Sequence, residues 1–115
     1  MENEVKKYLF DILECIKIID DFTGENKYFQ VFSNNLMMQD AIIRRLEIIG
    51  EATNKLLTRN SEIQITGSRK IIGLRNRLAH DYANIALENI WAVVINNLPT
   101  LKIEVEKLLF SDTEK

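Results

Sequence analysis

The sequence predicts an all-α protein, an antiparallel bundle of four to five helices. Apolar residues recur at alternating spacings of three and four along most of the chain, and residues so spaced share one face of a helix. No segment alternates apolar and polar residues as a half-buried strand would. The polar breaks between helical segments are short, and short connections place successive helices antiparallel.

Length and composition are those of an ordinary globular protein. A chain of 115 residues is long enough to bury a core, and we expect residues 1–115 to form a single domain. One cysteine and the lack of a secretory leader predict a reducing, cytoplasmic location. The longest apolar run, Ile90–Ile95, is too short to cross a bilayer, so no membrane association is expected.

The N-terminal half is expected to contain two long helices, at about Asn3–Phe22 and Asn34–Thr58. The apolar stripe of the first consists of Val5, Leu9, Ile12, Ile16 and Ile19. Gly24 follows it and suits a C-terminal cap. The short aromatic segment Tyr28–Phe32 is compatible with one or two helical turns. The stripe of the second helix consists of Ile42, Leu46, Ile49, Thr53 and Leu56.

The second predicted helix contains a glycine and two carboxylates of interest. A glycine inside a helix costs about 1 kcal/mol relative to alanine, which indicates that another helix approaches closely at Gly50. Glu47 and Glu51 are four apart and could chelate a metal, but no histidine or third acid follows at ligand spacing. Ion pairs with Arg44 and Lys55 are favoured, and we predict no metal site.

The C-terminal half is expected to contain two further helices. Thr66 or Ser68 could cap a helix that runs to about Ala79. The last helix is predicted at about Leu87–Phe110, with a seam of Trp91, Val94, Leu98, Leu101, Val105 and Leu108. Trp91 therefore fits the core better than a base-stacking surface. Pro99 should kink or split this helix, and the tail Ser111–Lys115 should fray.

One stretch, residues 74–82, carries the residues best suited to chemistry, including the only histidine. Asn76 and His80 are four apart and share a helix face, so the Asn76 amide could orient the imidazole. Arg75 and His80 do not share a face of a continuous helix. To act on one phosphate, they need a helix end near His80 or a second copy of the motif from a partner subunit. The apolar stripes of the long helices exceed what one small core readily covers, and together with this angular mismatch they favour a homodimer.

The region from Ala52 to His80 is basic in an otherwise acidic chain. It contains one acid, Glu62, and six bases: Lys55, Arg59, Arg69, Lys70, Arg75 and Arg77. Such a region is a candidate polyanion surface, and we assign Arg69, Lys70 and Arg77 to RNA binding. A solvated basic face without a ligand is the alternative, and it is the common case for patches this small.

Elimination leaves few kinds of catalysis open. Cys15 lies in an apolar helical pattern and is expected to be a buried structural thiol. A single histidine without cysteine or carboxylate partners is a poor metal site. Arginine with histidine suits phosphoryl chemistry without a metal or cofactor, because the guanidinium stabilises the transition state and the imidazole moves protons. RNA carries the required 2′-hydroxyl nucleophile and DNA does not, so RNA is the predicted substrate.

Residues 75–82 resemble the R-x4-H-x-Y signature of the HepT toxins within the HEPN superfamily. The resemblance covers nearly the whole chain, from about Val5 to Leu109, and the connection Arg59–Ser68 is its least characteristic part. The other matching blocks are Asp40–Ala52, which resembles the second-helix block of the family, Gly73-Leu74, Trp91 and Leu98-Pro99.

The resemblance implies a helical homodimer whose two motifs face each other across a cleft, and metal-independent cleavage of RNA, with tRNA and mRNA both open as targets. It implies that Arg75 binds the phosphate, that His80 is the acid and base, and that Asn76 assists it. It also implies an antitoxin of the minimal nucleotidyltransferase type, MntA, that adenylylates Tyr82.

Two functions are open on this basis. The first is a ribonuclease toxin of a type VII-like toxin–antitoxin pair. The second is a non-catalytic binding subunit that docks on a nucleotidyltransferase and presents nucleotide or substrate to it. The intact pair of Arg75 and His80 favours the ribonuclease, because a docking subunit has no need of a titratable imidazole beside arginines.

Overall fold

The computed structural model describes residues 1–113, which form six α-helices and one 3-10 turn and contain no strand. The predicted all-α class is confirmed. In chain order the helices are α1 (Asn3–Thr23), α2 (Phe29–Ser33), α3 (Leu36–Arg59), α4 (Ser68–His80), α5 (Leu87–Asn96) and α6 (Leu98–Thr113), with the 3-10 turn at Tyr82–Asn84. Of the tail expected to fray, residues 111–113 continue α6, and residues 114–115 lie outside the described residues.

Helices α1 and α3 form the centre of the bundle and run antiparallel. Arg59 at the end of α3 pairs with Glu4 in the first turn of α1. Its Nε also lies 3.4 Å from Oε1 of Glu2, the residue before α1. Every residue of the predicted α1 stripe is at most 1% exposed. Gly24 ends α1 with φ 72°, and its N–H donates to the carbonyl oxygen of Asp20, so the predicted cap is confirmed.

The aromatic segment forms α2, and only Asn34 and Asn35 separate it from α3. The side chain of Asn35 caps α3 by accepting a hydrogen bond of 3.0 Å from the N–H of Met38. All five residues of the predicted α3 stripe are buried. Thr53 joins this apolar face because its hydroxyl donates to the carbonyl oxygen of Ile49, at 2.7 Å.

The predicted cap of α4 is wrong. Gly67 occupies the N-cap position with φ 72°, and no side chain caps this helix. Thr66 instead ties the preceding loop to α6, since its hydroxyl and its N–H both bond to the Glu104 carboxylate, at 2.7 and 3.0 Å. The buried residues of α4 are Ile71, Leu74 and Leu78.

The predicted split at Pro99 is confirmed, because α5 ends at Asn96 and α6 begins at Leu98. Trp91 of α5 is 8% exposed and stacks on Phe32 of α2, with ring centroids 4.9 Å apart and planes 24° apart. It belongs to the core, as predicted. The seam shifts by one residue at its end, where Leu109 is buried and Leu108 only partly so.

No helix within residues 1–113 is both long enough and apolar enough to span a bilayer.

Candidate functional site

Helix α4 carries the motif residues Arg75 and His80 and packs on α3, where Gly50 lies beneath Arg75. A β-carbon added to Gly50 would overlap the β-carbon of Arg75 and would lie 2.9 Å from its γ-carbon and 3.1 Å from the carbonyl oxygen of Ile71. Any other residue at this position would push α4 away. The close approach predicted at Gly50 is confirmed, and its partner is the candidate phosphate-binding arginine.

The guanidinium of Arg75 lies between two helices and is only partly exposed. Its Nη1 donates a hydrogen bond of 3.1 Å to Oδ1 of Asn76. Its Nη2 lies 3.9 Å from Oε2 of Glu51 on α3. Glu51, Lys55, Asn76 and Arg75 also line one cavity of about 170 Å³. The structure therefore holds Arg75 by its neighbours on α3 and α4 and leaves part of the guanidinium open to solvent.

Glu51 forms the ion pair with Lys55 that the sequence predicts, at 3.0 Å. The Lys55 ammonium, hydrogen-bonded to Glu51, holds the pKa of that carboxyl below its ordinary value, and the charge of Arg75 acts in the same direction. Glu47, in contrast, forms no ion pair among residues 1–113, so its predicted pairing is not found there. Within the same residues, no three His, Cys, Asp or Glu side chains come together as a potential metal site.

Asn76 does not hold the imidazole of His80 as predicted. Its side-chain oxygen accepts from Arg75, the residue before it in the chain. The side chain of His80 makes no hydrogen bond within the described part of the chain. The amide oxygen of Asn76 is occupied by the neighbouring guanidinium of Arg75 and does not accept from His80.

His80 is the last residue of α4 and is exposed to solvent. Positions five apart on a helix differ by about 140° around its axis, so Arg75 and His80 leave α4 in different directions. Arg75 leans toward α3. His80 lies on the side of α4 opposite to its buried residues, on the face that also carries Arg69 and Asn76. The backbone hydrogen bond from Asp81 N–H to the Arg77 carbonyl oxygen, at 2.7 Å, then ends the helix.

Tyr82 is the first residue of the 3-10 turn and is 47% exposed. The turn is held by Asp81 and Asn84, whose side chains are joined by a hydrogen bond of 2.6 Å from Nδ2 of Asn84 to Oδ1 of Asp81. The tyrosine therefore lies at the same end of α4 as His80. Tyrosine rings commonly pack on the core, but the ring of Tyr82 does not.

Apart from Arg75, the basic residues of the region divide into two groups. Lys55 and Arg59 are paired with glutamates. Arg69, Lys70 and Arg77 are exposed on α4, and none of them forms an ion pair within residues 1–113. Lys70 and Arg77 are seven apart and lie along one line of the helix. The unpaired positive charge thus lies on α4 itself, beside the motif.

Two residues of the site were not assigned to it by the sequence. Gly50 and Glu51 of α3 contact Arg75 of α4, and that contact spans a separation of more than twenty residues in the chain. The helical glycine was a signal that two helices meet. Nothing in the sequence showed that the second helix would bring Arg75 to this point.

Comparison with known proteins gives consistent matches over most of the chain. The family model for HepT-like ribonucleases matches residues 12–108. A Methanocaldococcus jannaschii protein named "Putative RNase MJ1380" is 38% identical over 106 residues, which cover 91% of this chain and 96% of the relative. A Thermococcus cleftensis protein named "Probable ribonuclease HepT" is 37% identical over 112 residues, which cover 94% and 98%.

No solved structure gives a significant match. The matched family is the one that the sequence resembles, and the all-helical fold is the one that this resemblance implies. This chain therefore belongs to the HepT-like ribonuclease family of the HEPN superfamily.

Proposed function

We propose that this protein is a metal-independent endoribonuclease whose active site forms between two copies of the chain. The observation that carries the proposal is the divergence of the two central residues within one subunit. Arg75 is held against α3, and His80 projects from the opposite side of α4 with no hydrogen-bond partner among residues 1–113. Two copies of α4 facing each other would place Arg75 of one subunit and His80 of the other on one phosphate.

The chemistry follows from the properties of the two side chains. His80 takes the proton of a ribose 2′-hydroxyl, and the resulting oxygen attacks the neighbouring phosphorus. The bond from phosphorus to the 5′-oxygen breaks, and the protonated His80 gives a proton to that oxygen as it leaves. The products are a 2′,3′-cyclic phosphate and a 5′-hydroxyl. Arg75 stabilises the negative charge that accumulates on the phosphorus oxygens, and Arg69, Lys70 and Arg77 bind flanking phosphates.

We further propose that the enzyme is the toxin of a toxin–antitoxin pair and that a nucleotidyltransferase of the MntA type silences it. The phenol of Tyr82 attacks the α-phosphorus of a nucleoside triphosphate, and pyrophosphate leaves. The attached adenylyl group carries a phosphodiester charge and a bulky nucleoside. At the end of α4 it would occupy the space and the positive field that an RNA phosphate needs. The exposure of Tyr82 supports this assignment.

The deciding experiment is cleavage of RNA by the purified protein in the presence of a chelator. The products should carry 2′,3′-cyclic phosphate and 5′-hydroxyl ends. Arg75→Ala and His80→Ala should each lower the rate by on the order of a hundredfold or more. Both variants should retain the helical circular dichroism spectrum, and Lys17→Ala on the exposed surface of α1 should cleave as well as the unchanged protein.

Undiminished cleavage by His80→Ala would contradict the proposal. Absence of cleavage by the unchanged protein would instead favour the binding subunit of a nucleotidyltransferase.

A further inference from the structure

Glu51 of α3 interacts electrostatically with Arg75, the candidate phosphate-binding residue of α4. Its two carboxylate oxygens face different cations. Oε1 lies 3.0 Å from Nζ of Lys55, and Oε2 lies 3.9 Å from Nη2 of Arg75. The first distance is that of a charge-assisted hydrogen bond, and the second is a contact of charges without a hydrogen bond. Lys55 is therefore the tighter partner and anchors the carboxylate.

We propose that Glu51 is a positioning residue for Arg75: anchored by Lys55, it holds the guanidinium at the cleft without occupying the donors that bind the substrate phosphate. The inference rests on the proposed ribonuclease function and adds to it a residue from α3. Glu51 does not touch the RNA and takes no part in proton transfer.

The contacts of Arg75 support this role. Three contacts restrain the side chain of Arg75. Its β-carbon packs against Gly50, its Nη1 donates a hydrogen bond to Asn76, and its Nη2 is attracted by the charge of Glu51. An arginine side chain is long and loses much rotamer freedom when it is fixed, so these restraints prepare it for binding. Among residues 1–113, only one of its five N–H donors is used in a hydrogen bond, and the others remain for a phosphate.

The charges support the same role. Lys55 and Arg75 contribute two positive charges, and Glu51 contributes one negative charge, so the cluster carries one net positive charge. A phosphodiester carries one negative charge and balances it. Lys55 lowers the pKa of the Glu51 carboxyl, and its ion pair keeps the carboxylate from closing onto Arg75 and competing with RNA.

This arrangement predicts that the substitution Glu51→Gln separates binding from catalysis. RNA should bind more tightly, because a negative charge beside the phosphate site is removed. KM should fall by about threefold. Cleavage should slow by about tenfold in kcat, because the guanidinium loses the charge that aims it. The melting temperature of Glu51→Gln should stay unchanged. Loss of a residue that only supports the fold would instead lower the melting temperature, the affinity and kcat together.

Glu47→Gln is the matched control, since it removes the same charge one turn earlier on the same helix. Glu47 makes no ion pair among the described residues, so KM should fall slightly and kcat should stay unchanged. Glu51→Asp keeps the charge with a shorter side chain and should recover part of the lost kcat. Tighter binding should also be measurable without turnover. By fluorescence anisotropy, the double variant Glu51→Gln, His80→Ala should bind a labelled oligoribonucleotide more tightly than His80→Ala does.

The outcomes separate the two proposals. If the unchanged protein cleaves RNA and Glu51→Gln behaves like Glu47→Gln, Glu51 is not a positioning residue and the inference is overturned. A parallel loss of kcat, affinity and melting temperature in Glu51→Gln would overturn it too, because the residue would then be structural. If the unchanged protein does not cleave RNA, the proposed function fails first and the inference fails with it.

Discussion

Gly50 of α3 provides the space that the side chain of Arg75 occupies on α4, since a β-carbon at Gly50 would overlap the β-carbon of Arg75. The contact joins the packing of the bundle to its candidate site. The distance between α3 and α4 at this point determines the position of the Arg75 β-carbon, and Glu51 and Asn76 determine the position of its guanidinium. The contact thus links the packing of the bundle to the geometry of the candidate site.

Gly50→Ala should destabilise the protein by about 1–3 kcal/mol despite the better helix propensity of alanine, because the overlap involves a β-carbon that no change of rotamer can move. RNA cleavage should fall with it. Denaturant unfolding measures the stability. Gly73→Ala on α4 is the control, since nothing lies within 4 Å of a β-carbon there, and it should stabilise by about 0.5–1 kcal/mol. Equal stabilisation by both substitutions would contradict the packing account.

Mixed dimers test the composite site. A mixture of Arg75→Ala and His80→Ala subunits, denatured and refolded together, should recover cleavage, because each heterodimer contains one site with an intact Arg75 and an intact His80. With random pairing the rate should reach roughly a quarter of that of the unchanged protein. Light scattering should give twice the chain mass of 13.4 kDa. A mixture as inactive as its components would show that both residues act within one chain.

Tyr82 should be the residue that a nucleotidyltransferase partner modifies. Co-produced protein should show adenylyl mass increments on the peptide that contains Tyr82, and Tyr82→Phe should resist modification while it still cleaves RNA. Tyr28→Phe is the control, because Tyr28 is 61% exposed and lies outside the motif. It should be modified and silenced like the unchanged protein. Silencing of Tyr82→Phe through modification elsewhere would remove Tyr82 from the mechanism.

Cys15 should be unreactive in the folded protein. It is 3% exposed, and burial raises the pKa of its thiol, an effect that the nearby Arg45 only partly opposes. Iodoacetamide at pH 8 should therefore label the native protein at least about a hundredfold more slowly than the denatured protein, since the thiolate forms readily only after unfolding. Rapid labelling of the native state would return Cys15 to the list of candidate nucleophiles.

Several features of the protein depend on local sequence and were predictable from it. The apolar stripe of α1, the cap at Gly24 and the split at Pro99 are consequences of helix periodicity and of the backbone preferences of glycine and proline. The motif residues Arg75, His80 and Tyr82 were recognisable for the same kind of reason, because their spacing is itself the signal.

The tertiary structure decided the features that depend on residues distant in the chain. Thr66 bonds to Glu104 and leaves the cap of α4 to Gly67, and Asn76 accepts from Arg75 instead of His80. A capping side chain or an amide has several partners within reach, and packing selects among them. The sequence by itself determined which residues are the candidates for the chemistry, since residue type and spacing are local properties. Only the packing of α3 against α4 brought Glu51 to Arg75, because the meeting of two helices depends on how both fill the shared core.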